Sequence, residues 1–186
     1  MGVVDDGERL PRHAGAGDRL HPPRHRARLR EPGRSLGHRD AVRALRTGRP
    51  EGAGPLVVVL GAGGDRDREK RPLMGAAAAT AADVVVVTDD NPRSEDPAAI
   101  RAAVLAGARD AAAGAAAAVV EVVEIGDRAA AIAEGVRRAW GGGTLLVAGK
   151  GHEKGQEVGG VVHPFDDRDV LARALLAARP EPEVAR

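Results

Sequence analysis

From Leu56 onward the chain alternates short, unbroken apolar runs with longer alanine-rich stretches of helical period. Leu56-Val57-Val58-Val59-Leu60 is ended by Gly61. A run this short does not repay helix nucleation, whereas a strand covered on both faces has this continuous pattern. Val84-Val85-Val86-Val87 repeats it, residues 119–125 supply a third run, and Thr144-Leu145-Leu146-Val147-Ala148 a fourth. Helices are expected between them. One covers residues 72–82, and a second starts with Pro97 at its first position behind Asp96 and reaches about Ala108. A third runs from a cap at Asp127 to Trp140, where Gly141-Gly142-Gly143 stops it. A hairpin is expected across Gly159-Gly160. A last helix, capped by Asp166 or Asp167, should carry Val170, Leu171, Leu175 and Leu176 on its inner face.

Four strands separated by helices predict an α/β fold: an open, mostly parallel Rossmann-like sheet with helices on both faces. Ligands of such sheets bind beyond the carboxyl ends of the strands. Three polar loops fall there, at residues 61–71, 88–96 and 149–157, and they should converge on one cleft. The alanine-rich helices can approach the sheet closely but bury little area, so modest stability is expected.

Residues 1–39 break the pattern. His, Pro, Arg and Gly are scattered there without period, as in His21-Pro22-Pro23-Arg24-His25-Arg26. This predicts a disordered arm, ahead of one ordered domain at 40–179 and a tail at 180–186. The same mixture is what GC-rich coding DNA yields in a shifted reading frame. Sequencing the locus tests that idea, since a clean upstream frame with no indel removes it.

Charge alters the picture only locally. The chain holds 28 basic and 27 acidic residues, yet 12 arginines and only six carboxylates lie in residues 1–50. No aromatic residue accompanies the arginines to stack on bases, so nucleic-acid binding is not expected. With no cysteine there is no disulfide and no thiolate chemistry. No apolar run approaches the roughly 18 residues of a membrane span, and the N-terminus lacks a signal-peptide block, so neither membrane association nor export is expected. The expected location is the cytoplasm.

The chemistry lies in the three loops. In Gly61-Ala62-Gly63-Gly64-Asp65-Arg66 the arginine replaces the last glycine of a dinucleotide fingerprint, and no G-K-[ST] follows. Arg66, just behind the glycines, suits a carboxylate or phosphate. Thr88-Asp89-Asp90-Asn91-Pro92-Arg93 packs two acids, an amide and a guanidinium around a proline that keeps Asn91 out of the helical region. It reads equally as a turn, while magnesium on Asp89 and Asp90 is the weaker reading. Gly149-Lys150-Gly151-His152-Glu153 lets backbone approach a ligand and presents a carboxylate. Lys150 reads as surface charge or as a contact for a ligand carboxylate, and His152 as an exposed loop histidine rather than a base. Together the loops match a zwitterionic amino acid, with guanidinium groups for its carboxylate and Asp90 or Glu153 for its ammonium.

These motifs resemble the Mur ligases, and among them the diaminopimelate-adding branch. The resemblance covers about residues 56–178 through Gly-Gly-Asp-Arg-Asp with Lys-Arg-Pro-Leu-Met-Gly, then Val-Thr-Asp-Asp-Asn-Pro-Arg, then Val-Ala-Gly-Lys-Gly-His-Glu. It implies that Arg66, Asp90, Asn91, Pro92, Arg93, Gly149 and Glu153 line a pocket for meso-diaminopimelate. Lysine-adding relatives replace the arginine that Arg93 matches. ATP and magnesium are the implied cofactors of the complete enzyme, and a UDP-muramoyl dipeptide is its acceptor.

Departures from the family pattern are also legible. The UDP-binding domain, the central P-loop domain with its magnesium ligands, and the Asp-Tyr-Ala-His segment that helps hold ATP have no counterpart, and the chain contains no tyrosine. The expectation is a C-terminal domain fragment without catalytic residues, metal ligands or tight cofactor binding of its own. Two alternatives stay open: a stand-alone Rossmann-like binding module without catalysis, and the non-functional product of a broken gene.

Overall fold

A computed structural model describes residues 38–114, 120–151 and 153–179. The expectations for residues 1–37, for Val119, for His152 and for the tail at 180–186 lie outside the described residues. Helix α1 (His38–Thr47) begins two residues ahead of Asp40 and leads to strand β1 (Leu56–Leu60). Then follow α2 (Lys70–Ala79), β2 (Val84–Val87), α3 (Pro97–Ala113), β3 (Glu121–Glu124), α4 (Arg128–Ala139) and β4 (Thr144–Ala148). A hairpin of β5 (Gly155–Val158) and β6 (Val161–Pro164) precedes α5 (Asp167–Ala177).

The four main strands form one parallel sheet in the order β3-β2-β1-β4. Strand order reverses between β1 and β4, so the crevice outside their carboxyl ends is where this topology places a ligand. The unbroken apolar strands are explained by the two cores. Leu56, Val58, Leu60, Val85 and Val87 pack with α1, α2 and α3, and Val57, Val59, Val84 and Val86 pack with α4 and α5. Each strand thus alternates between two apolar faces instead of between core and water. At the edge, β3 exposes Glu121 and Glu124, which answer Arg138 and Arg101 from neighbouring helices. Charged ends of this kind discourage pairing with another strand.

The helices start where their caps dictate. Asp96, Asp127 and Asp166 accept hydrogen bonds from Ala98 N, Ala130 N and Arg168 N, which settles the last cap on Asp166. Helix α2 begins at Lys70, ahead of the expected Pro72, and α3 runs on to Ala113, past the expected Ala108, because alanines leave it no reason to stop. α2 and α3 touch through backbone. A Cβ on Gly107 would lie 1.9 Å from Pro72 O, and one on Gly75 2.0 Å from Val104 O. In α5, Val170 is buried and Leu171 packs beneath it, but Leu176 is 65% exposed. The expected inner face was one residue too wide, because Leu176 follows Leu175 by about 100° around the helix.

Candidate functional site

The three loops at the carboxyl ends of β1, β2 and β4 are joined to one another by their own polar groups. Between the first and second, Gly64 N donates to Asn91 O at 2.8 Å, and Arg93 Nη1 donates to Gly64 O at 2.7 Å. Only glycine fits at position 64, since a Cβ there would lie 1.8 Å from Pro92 O. Asp65 accepts from Ser94 Oγ at 2.7 Å, and its own N–H donates to Glu95 Oε1 at 2.7 Å. Arg71, buried at the start of α2, closes the joint with two hydrogen bonds to Glu95 at 2.8 and 3.0 Å and one to Gly63 O at 3.3 Å. These contacts, led by that of Arg71, hold the Glu95 carboxyl at about 2.

Asn91 joins the second loop to the third. Its Nδ2 donates to Glu153 Oε2, while its Oδ1 accepts from Lys150 Nζ at 2.9 Å and from Glu157 N at 3.0 Å. The hairpin is laced to the same loop. Arg93 N donates to Glu157 O at 2.9 Å, and Gly159 N donates to Arg93 O at 2.7 Å. The left-handed backbone of Arg93, with φ 53°, turns its guanidinium back over the first loop while its main chain pairs with β5.

All seven sequence-predicted residues lie in this cluster. Arg66 and Arg93 flank Gly63, where a Cβ would lie 3.6 Å from Arg66 Cγ and 2.9 Å from Arg93 Nη1. Arg66 is exposed, and Arg93 is half-buried with a loose ion pair to Glu157 at 3.7 Å. Pro92 is buried against Gly64, and Gly149 sits with its missing Cβ 3.2 Å from Asp90 Oδ2. Asp90 and Asn91 are buried, and Glu153 is exposed at the rim. Asp90 Oδ1 is buried without a hydrogen-bond partner and lies 3.5 Å from Lys150 Nζ. Burial raises its pKa, against the pull of Arg128 and Lys150.

One expectation changes here. Lys150 is neither surface charge nor free to meet a ligand: it is 2% exposed, and its ammonium is held by Asn91, Gly155 O at 2.6 Å and Asp90. The neighbouring carboxylates Asp89 and Asp90 do not form a pair for magnesium. Asp89 turns to Arg101 at 2.5 Å, and Asp90 turns toward Lys150. Among the described residues no group of three or more His, Cys, Asp or Glu is placed to hold a metal ion.

Sequence reading missed the residue beneath the site. Arg128, at the start of α4, is 1% exposed and donates to Asp167 at 2.8 and 2.7 Å, to Asp89 O at 3.2 Å and to Ala148 O at 3.1 Å. It ties the ends of β2 and β4 to α5. Its one sequence signal is its place directly behind the cap Asp127, which does not distinguish it from a surface arginine.

The sequence profile of the family described as "Mur ligase, glutamate ligase domain" matches residues 37–151. The chain belongs to the Mur ligase family. Among curated Mur ligases, the UDP-N-acetylmuramoyl-L-alanyl-D-glutamate–2,6-diaminopimelate ligase of Caulobacter vibrioides is 62% identical over 127 residues, 68% of this chain and 24% of that protein. The enzyme of the same name from Streptomyces coelicolor is 56% identical over 137 residues, 73% of this chain and 26% of its own. A solved structure of a ligase of that name superimposes with a TM-score of 0.63 at 38% identity, covering 75% of this chain and 27% of that one. The chain therefore spans about a quarter of the length of the relatives it matches.

Proposed function

We propose that this chain carries the amino-acid-binding domain of the ligase that joins meso-diaminopimelate to UDP-N-acetylmuramoyl-L-alanyl-D-glutamate in peptidoglycan synthesis. Its share is to bind the incoming amino acid and hold it in place. One observation carries the reading: Asn91 links three strand-end loops, with Arg93 two residues away on one side and Glu153 bonded to its amide on the other. A guanidinium pair at Gly63 and a rim carboxylate are the two halves of a receptor for a zwitterion. Arg66, Asn91 and Arg93 would meet the ligand's carboxylate, Glu153 and Asp90 its ammonium, and Pro92 and Gly149 would shape the wall. The printed names of the relatives agree with diaminopimelate as that amino acid.

Holding an amine beside an activated carbonyl replaces a bimolecular encounter by a local one, which is a large share of a barrier of this type. In such a ligase ATP with Mg2+ supplies the activation of the glutamate carboxylate. The described residues do not fit that group. The glycines of the first loop face the Pro92 carbonyl and the Arg93 guanidinium instead of an open phosphate cradle. Activation is therefore assigned to other parts of the ligase, and ligation by this chain alone is not expected. No helix among the described residues is long and apolar enough to cross a membrane. We assign the chain to the cytoplasm.

Calorimetry of the full chain with meso-diaminopimelate and with L-lysine tests the reading. Binding of the former in preference to the latter is expected. Arg93→Ala should weaken it at least tenfold, in line with about 1.5–3 kcal/mol for a hydrogen bond to a charged group. The same change in a restored full-length ligase should raise the KM for diaminopimelate by a similar factor. An unchanged affinity refutes the assignment.

A further inference from the structure

We propose that Lys150 is a positioning residue of this pocket: its buried ammonium fixes the carboxamide of Asn91 with the nitrogen outward, so that Asn91 meets the ligand as a hydrogen-bond donor. The inference rests on the amino-acid pocket proposed above and concerns which end of the ligand Asn91 can take.

The orientation of the amide follows from its neighbours. Lys150 Nζ and Glu157 N, at 2.9 and 3.0 Å, reach the same atom of Asn91, and both are donors with nothing to accept. That atom must be the oxygen. The other atom faces Glu153, an acceptor, and must be the nitrogen. With Oδ1 occupied twice, Asn91 has no good acceptor left for a ligand ammonium. One of its two Nδ2 hydrogens goes to Glu153 and the second is left for a carboxylate oxygen. A ligand ammonium must then go to Glu153 or Asp90, which gives the pocket a direction.

Lys150 is built to hold this arrangement and not to touch the ligand. Its ammonium donates to Asn91 Oδ1 and to Gly155 O at the start of β5, and lies 3.5 Å from Asp90 Oδ1. The Phe165 ring, 5.8 Å from Nζ, closes the remaining side. The ammonium thus pins the second loop to the hairpin and, with Arg128, supplies positive charge beside the buried Asp90. Removing it leaves Asp90 with the pull of Arg128 alone and the Asn91 Oδ1 held by one backbone N–H, that of Glu157.

The test uses nitrogen-15 NMR of the full chain, first without ligand and then titrated with meso-diaminopimelate. In the ligand-free protein the Lys150 ammonium is expected as a resonance protected from exchange, with cross-relaxation to Gly155 and Asn91. Lys150→Met is expected to shift the Asn91 side-chain NH2 resonances and to weaken diaminopimelate at least tenfold, while the amide peaks of β1 and β2 stay in place. A Lys150 ammonium that exchanges as fast as free lysine overturns the proposal even if the variant does not fold. Unmoved Asn91 NH2 resonances in a folded Lys150→Met overturn it as well. If the unaltered chain binds no diaminopimelate while the Lys150 ammonium is protected and Asn91 responds to Lys150→Met, the ligand assignment fails and the positioning role stands.

Discussion

The two ends of the sheet both carry clustered charge, but they are wired differently. At the amino end, Asp83 accepts from Leu56 N at 2.7 Å, Arg46 Nη1 at 2.6 Å and Arg49 Nη1 at 2.7 Å, and Arg49 also serves the carbonyls of Ala53 and Gly54. The shallow hollow there, about 240 Å³, is lined by Arg46, Arg49 and Asp83, whose charges already answer one another. At the carboxyl end, Asp90 has an oxygen without a hydrogen bond, Arg93 makes one hydrogen bond to Gly64 O and a loose ion pair to Glu157, and Arg66 is exposed. Closed networks serve the fold, whereas a network with donors and acceptors left over is shaped for something that arrives later. A hollow alone therefore says less than the state of the groups around it.

The comparison breaks most visibly at Arg128, the closed arginine under the open end. Arg128→Ala leaves the half-buried Asp167 carboxylate and the carbonyls of Asp89 and Ala148 without their partner, and a loss of about 3–5 kcal/mol in urea denaturation is expected. That exceeds anything at the amino end. Gly64→Ala attacks the joint between the first two loops. It should cost about 1–3 kcal/mol and remove diaminopimelate binding in calorimetry, because the new Cβ must push Pro92 away.

A smaller effect sharpens the contrast through pH. Burial pushes Asp83 up, but the Leu56 N–H and the two guanidinium groups outweigh it and hold the carboxyl at about 2, below its ordinary 3.8. Its stabilisation is thus complete above about pH 4 and lost as pH falls through 2. Asp83→Asn should cost about 1 kcal/mol at pH 7, allowing for solvent screening, and progressively less as pH falls through about 2, as read by chemical denaturation. Asp90 has the opposite sign. Burial raises its pKa, so its charge opposes folding at neutral pH and protonation relieves it on acidification. Asp90→Asn is expected to cost less than Asp83→Asn at pH 7. The smallest effect on stability belongs to Arg66→Ala: within about 0.5 kcal/mol in denaturation, with weakened diaminopimelate binding in calorimetry.

Much of the frame was legible from local pattern. The bounds of β1, β2 and β4, the caps at Asp96 and Asp127 and the hairpin turn at Gly159-Gly160 follow from signals a few residues wide. The meeting of Arg66, Asn91, Arg93 and Glu153 followed from a rule of topology, that polar loops after parallel strands share one edge. The roles of Arg71, Arg128 and Lys150 were not legible. Their partners lie 24, 39 and 59 residues away in the chain, and a lysine or arginine in isolation reads as surface.

The sequence by itself determined the strands, the capped helices and the identity of the groups at the sheet's carboxyl edge, because hydrophobic period and capping act over one or two turns. Tertiary structure decided which charges are buried, which way the Asn91 amide faces and which groups are left unpaired. Those outcomes depend on which side chains meet across the fold and exclude water, and no short stretch of chain contains both partners.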